Sequence, residues 1–120
     1  MMVIIMGKII TIKNNREFQN IYRKGKYAVS KALTVYMLPN NSQVNRVGIT
    51  ASKNYGKSVK RNRIRRLIRE SYRAIHGNLR TGYDFVIVAR KRTDNDKPDF
   101  QKIYKELNYL FRTLNVLDRK

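Results

Sequence analysis

The sequence has no cysteine. That removes disulfides, thiolate zinc sites and thiol nucleophiles together, and it suits a cytosolic chain, so a cytoplasmic location is expected. Acidic residues are scarce: 8 Asp and Glu stand against 27 Lys and Arg. With one histidine, His76, at a helix end that favours interaction with the helix dipole, little is left for acid–base chemistry. Serine and lysine are plentiful, but none has a base in a recognisable arrangement, so no catalytic residue is assigned. A long apolar run is also missing. The opening MMVIIMGKIITI is cut by Gly7-Lys8, lacks a basic leader and a small-residue cleavage site, and is too short to span a bilayer. Residues 1–8 read as an extension, and Ile9 to Ile12 is expected to add a strand or lie against the core.

What is present is enough to fold. Leu, Ile, Val and Phe make up 33 of 120 residues, sufficient for one domain over residues 9–120. The formal net charge of +19 repels itself unless a polyanion screens it. Nucleic acid is the leading partner and an anionic membrane the second.

Asn14 with Glu17 suggests a capping box, followed by Phe18, Ile21 and Tyr22 at helical spacing and Gly25 as a stop. From Tyr27 to Leu38 the pattern alternates, with Leu33, Val35 and Met37 on one face and Ala32, Thr34 and Tyr36 on the other. Pro39 to Asn45 is a polar turn, and Arg46 to Ser52 resumes strand character. A second helix is expected from about Lys57 to His76, its apolar stripe formed by Ile64, Leu67, Ile68, Ser71, Tyr72 and Ile75. Phe85 to Ala89 is continuously apolar, as a central strand would be. A polar connector leads to Asp99, an N-cap for a last helix through Leu114. Asp94-Asn95-Asp96 begins like a calcium loop, but the sixth position lacks Gly and Lys105 occupies the twelfth, so no metal site is expected in the protein. This order indicates an α+β fold, a small sheet packed with helices.

The second helix carries the functional signal. On a helical wheel Asn62, Arg66, Arg69 and Arg73 cluster opposite the apolar stripe, with Arg63 and Arg65 on the flanks. Arg61, Arg65, Arg69 and Arg73 form a chain of like charges at i, i+4, costing the free helix about 1 kcal/mol in sum, and Glu70 offsets only part of this. Lys57, Lys60 and Arg61 sit at the positive end of the helix dipole, which adds to the cost. A phosphate backbone along that face reverses each of these effects, with amides at Gly56, Lys57 and Ser58 as further donors. The plain alternative is a solvated basic face or a localisation signal. Against it, Lys53 to Arg73 holds nine basic residues to one acid, mostly Arg, the better bidentate phosphate ligand.

The stretch SKNYGKSVKRNRIRRLIRE, Ser52 to Glu70, resembles the signature of the protein-component family of bacterial ribonuclease P, an Arg-Asn-Arg element after a Gly-Lys-small-Val lead. KNNREFQNIYRKG, ALTVYML, RVGITASK and YDFVIVARK resemble further segments of that family in order, from about Ile10 to Leu114. Asn54 stands where relatives often carry a second Lys, and the segment before Ile9 has no counterpart.

The resemblance implies a single αβββαβα domain with a four-stranded mixed sheet, similar to a domain of a small-subunit ribosomal protein, with a left-handed β-α-β crossover. The general rule for such crossovers is right-handed. It implies pairing with one large catalytic RNA to remove the 5′ leader from precursor tRNA, the RNA carrying the chemistry and holding most of the Mg2+. Neither a membrane nor a protein partner is required. Lys53, Lys57, Lys60, Arg61, Asn62, Arg63, Arg65, Arg66 and Arg69 are the implied contacts to the catalytic RNA. Phe18, Tyr22, Ser30, Thr34 and Tyr36, with Ala32, are the implied leader cleft. Aromatics at i, i+4 suit base stacking, although the same two rings would also serve as core; a tyrosine at 22 favours a half-exposed site, because its hydroxyl seeks a polar partner.

Three rivals remain on sequence alone. A structural ribosomal or general RNA-binding protein would show the same charge. A helix-turn-helix DNA binder lacks the short helix needed before Ser58, where a strand stands instead. A membrane-active helix is disfavoured because neighbouring strands need its apolar face.

Overall fold

Alternating apolar residues in the middle of the chain build the sheet, and the helices at either end of that segment cover its two faces. The computed structural model describes residues 9–91 and 97–118. The extension at 1–8 and the Asp94-Asn95-Asp96 run fall outside the described residues. In chain order the elements are β1 (Ile10–Thr11), α1 (Asn15–Lys24), β2 (Lys26–Val29), β3 (Leu33–Pro39), β4 (Arg46–Ala51), α2 (Ser58–Ile75), β5 (Tyr83–Ala89) and α3 (Phe100–Thr113). Short 3₁₀ turns at Lys53–Tyr55 and His76–Asn78 flank α2.

The sheet has five strands in the order β1-β4-β5-β3-β2, not the four expected. The addition is the two-residue β1, parallel to β4, so part of Ile9 to Ile12 does add a strand, while Ile12 is buried in the core. Tyr27 to Leu38 is a hairpin, turned where the Ser30 hydroxyl meets the Leu33 backbone. β5 is central, parallel to β4 and antiparallel to β3, as its unbroken apolar run predicts.

Register divides the side chains. Leu33, Val35, Met37, Val47, Phe85 and Ile87 face α2 and α3 in the larger core, where Tyr72, Phe85 and Phe111 meet in edge-on and tilted contacts, the closest pair 5.0 Å apart. Tyr36, Leu38, Val86 and Val88 face α1, whose Phe18, Ile21 and Tyr22 pack there with Ile12. The molecule is thus three layers, α1, sheet, then α2 with α3.

Helix ends follow the sequence with two changes of mechanism. Asn14 caps α1, but its side chain accepts from the Arg16 amide, and Glu17 turns away to Arg46 instead of completing a capping box. Gly25 ends α1 without a left-handed turn. Its φ is −79°, and a Cβ there would meet the Ile21 and Met37 carbonyl oxygens at 2.7 and 2.8 Å, so close backbone approach requires the glycine. Asp99 caps α3 by accepting from the Lys102 amide.

Candidate nucleic-acid interface

α2 holds its place through Ile64, Ile68, Tyr72 and Ile75, all buried. Burial of three isoleucines at ~1.5–3 kcal/mol each outweighs the ~1 kcal/mol of like-charge repulsion on the other face, so the helix forms despite its charge. Lys53, Lys57, Lys60, Arg63, Arg66 and Arg69 are exposed, and among the described residues none of their side chains has a hydrogen-bond or ion-pair partner. No acid lies in the first turn of α2, and its N-cap, Lys57, makes no side-chain cap. The helix start therefore presents both its dipole and its cations to an anion.

Three residues of the basic motif differ from this pattern. Arg61 is half-buried and donates to the Gly56 carbonyl at 2.7 Å, and more weakly to Ser58 Oγ. Gly56 has φ 150°, a backbone that only glycine adopts readily, and Arg61 fastens this bend to the helix. Arg65 donates to Asn62 Oδ1, so these two side chains hold each other in position.

On the opposite side of the sheet the aromatic residues form a row. Phe18 and Tyr22 of α1 lie 6.3 Å apart by ring centroid, Tyr22 and Tyr36 4.9 Å apart in an edge-on contact. All three are half-buried, so each is partly core and partly surface. Phe18 sits over Gly48, whose missing side chain leaves the space for its ring. Burial, and secondarily the neighbouring Tyr36, push the Tyr22 hydroxyl's pKa up, keeping it a neutral donor. Thr34 lies on this face but is only 8% exposed. Ser30 and Ala32 do not join it: the Ser30 hydroxyl donates to Glu106 Oε1 of α3 at 2.5 Å, and the Ala32 amide donates to the same oxygen at 2.9 Å.

The two surfaces converge at one place. Val29, Thr34, Val88 and Thr50 form a row across β2, β3, β5 and β4 by register, and Thr50 precedes the exposed Lys53 by three residues.

Sequence reading missed the group that fixes α1 to the sheet. Arg46 donates to both oxygens of the buried Asp84, at 2.9 and 2.7 Å, and to Glu17 at 3.2 Å. The hydrogen bond to Asp84 is the main reason the Arg46 guanidinium binds its proton still more tightly than usual. Asn40 donates to Asp84 as well. Beside this group lies a cavity of about 410 Å³, lined also by Arg16, Gln19, Asn20 and Arg23. His76 departs from its expected role: burial lowers its pKa, so burial beside Tyr72 disfavours the cation that a helix dipole would favour.

A family model described as Ribonuclease P matches residues 6–115. The ribonuclease P protein component of Caldanaerobacter subterraneus subsp. tengcongensis is 38% identical over 113 residues, covering 94% of this chain and 96% of its own. That of Natranaerobius thermophilus is 36% identical over 114 residues, with 95% and 97% covered. The solved structure of the Staphylococcus aureus RNase P protein superposes with a TM-score of 0.80 at 29% identity, covering 92% of this chain and 100% of that one. The Thermotoga maritima RNase P protein gives 0.75 at 28% identity, over 85% and 96%.

Proposed function

The chain belongs to the ribonuclease P protein family, and from that premise we propose that it grips a large catalytic RNA through α2 and the 5′ leader of precursor tRNA through its aromatic face. One observation carries the reading: six exposed cations without side-chain partners among the described residues follow β4, and the sheet face that β4 shares with β5 and β3 also carries the half-buried Phe18, Tyr22 and Tyr36. Phosphate along α2 removes the repulsion between its arginines, and stacking on Phe18, Tyr22 and Tyr36 contributes roughly 1–3 kcal/mol per base.

The RNA performs the chemistry in this reading. Magnesium belongs with it in the same proposal. The protein's part is binding. Mature tRNA has no leader, so a leader site favours precursor over product, and the basic field eases repulsion between the two RNAs. A cytoplasmic location and independence from any protein partner belong to the same proposal. No helix among the described residues is long and apolar enough to cross a membrane.

The test is reconstitution with a bacterial catalytic RNA at low magnesium. Leader removal is expected to rise when the protein is added, and precursor affinity to grow with leader length only when the RNA is present. Cleavage unaltered by the protein at every ionic strength refutes the reading. RNA binding indifferent to the leader favours a general RNA-binding protein instead.

A further inference from the structure

The aromatic row extends past the cleft to the edge of the sheet. Tyr27 stands on β2, the edge strand, 63% exposed, with its ring 5.6 Å from that of Tyr36. Register places Tyr27 opposite Tyr36 and Val29 opposite Thr34, so both β2 residues point to the α1 side. α1 covers Val86 and Ile12 there, while Tyr27 and the 46% exposed Val29 stay open. An exposed edge strand is ordinarily guarded by lysine or another polar residue. β2 has the exposed Lys26 on one face, but on the α1 side its two positions are the exposed Tyr27 and Val29.

Resting on the leader-binding reading above, we propose that Tyr27 is an additional stacking subsite, which takes one base of the single-stranded leader beyond those held by Phe18, Tyr22 and Tyr36. Every base offers a π-face, so an open tyrosine ring accepts any of the four. β2 is an edge strand, and β5 and β3 separate it from β4, the strand that leads into the basic helix. Tyr27 therefore meets the part of the leader farthest from RNA bound on α2. The competing role is structural, a cross-strand aromatic pair with Tyr36 that only steadies the hairpin.

The holoenzyme, this chain with the catalytic RNA, distinguishes the two on precursors whose leaders are lengthened one nucleotide at a time. Tyr27→Ala is expected to weaken binding roughly 5- to 150-fold, equivalent to about 1–3 kcal/mol for one stacked base, and only for leaders that reach the sheet edge. Tyr27→Trp is expected to retain affinity, its fluorescence quenched by long leaders and not by short ones. Equal weakening at every length, or none at any length, overturns the subsite while leaving the leader cleft standing. A wild-type affinity that ignores leader length overturns the cleft first and the subsite with it.

Discussion

Gly48 lacks a side chain because the ring of Phe18 fills the place where one would go. A Cβ there falls 2.5 Å from Phe18 Cζ and 2.6 Å from Cε1. Gly48→Ala is therefore expected to push the ring outward, costing about 1–3 kcal/mol as an overpacked contact and reducing the preference for precursor over mature tRNA. Urea unfolding beside a binding assay checks both; an unchanged midpoint with unchanged preference shows that Phe18 is not seated there. At the other end of the molecule, His76 makes stability depend on pH. Its pKa is lowered by burial, and its Nδ1 is buried with no hydrogen-bond partner among the described residues. The unfolded chain takes up the proton first, near the ordinary histidine value of about 6.5. The stabilisation is thus whole above that value and declines as pH falls through it toward the lower folded value. Urea midpoints between pH 7.5 and 5.5 are expected to drop for the wild type and to flatten for His76→Gln, allowing for the carboxylates that titrate lower. The sequence shows that a histidine ends a helix. It does not show that Tyr72 packs against the ring and makes desolvation the stronger influence.

Each helix announces its inward face by period, and that part of the fold is legible. The stripe on α2, the Asp99 cap of α3 and the central position of β5 all follow from local pattern. Partners far apart in sequence are not legible. Glu17 leaves its expected capping box for Arg46, 29 residues away, because a carboxylate beside a guanidinium gains more than one accepting a backbone amide. The Ser30 hydroxyl is taken by Glu106, 76 residues away, which removes it from the cleft. The exposure of Tyr27 is not legible for a related reason: alternation locates a strand face, but only sheet order reveals which strand is the edge. The same limit applies within the basic motif, where the sequence treats its arginines alike. Arg61 braces the Gly56 bend, whereas Arg66 and Arg69 have no partner among the described residues. Arg61→Ala is expected to lower stability by about 1–2 kcal/mol through the lost charge-assisted bond. Arg66→Ala with Arg69→Ala is expected to leave stability equal or slightly raised, while reducing the salt dependence of RNA binding by about 0.7–0.9 log unit per lost contact. Denaturation and a salt titration on these two variants beside the wild type check this. An equal loss of stability in both variants would show that the outward arginines are structural.

At the scale of the whole molecule the sheet separates two surfaces. α1 and its aromatic row lie on one side, α2 and α3 on the other, with the sheet between them. The Arg46 group ties α1 to β4 and β5 without involving α2, so the α1 face has its own fastening. Perturbing one side should therefore leave the other's energetics intact. Phe18→Ala with Tyr22→Ala is expected to weaken precursor binding by the holoenzyme and leave assembly with the catalytic RNA unchanged; Arg66→Ala with Arg69→Ala is expected to weaken assembly. When the four substitutions are combined and precursor binding is measured with the RNA saturated by protein, the losses should add to within about 0.5 kcal/mol, as for sites sharing no partners. A coupling well above that figure would mean that leader and catalytic RNA meet across the Thr50 to Lys53 turn and are held as one ligand. Circular dichroism of the Phe18/Tyr22 protein decides the remaining case, since both rings also pack with Ile21 and Val86. A collapsed fold would make them core first, and the leader site would then have to rest on Tyr36 and Tyr27.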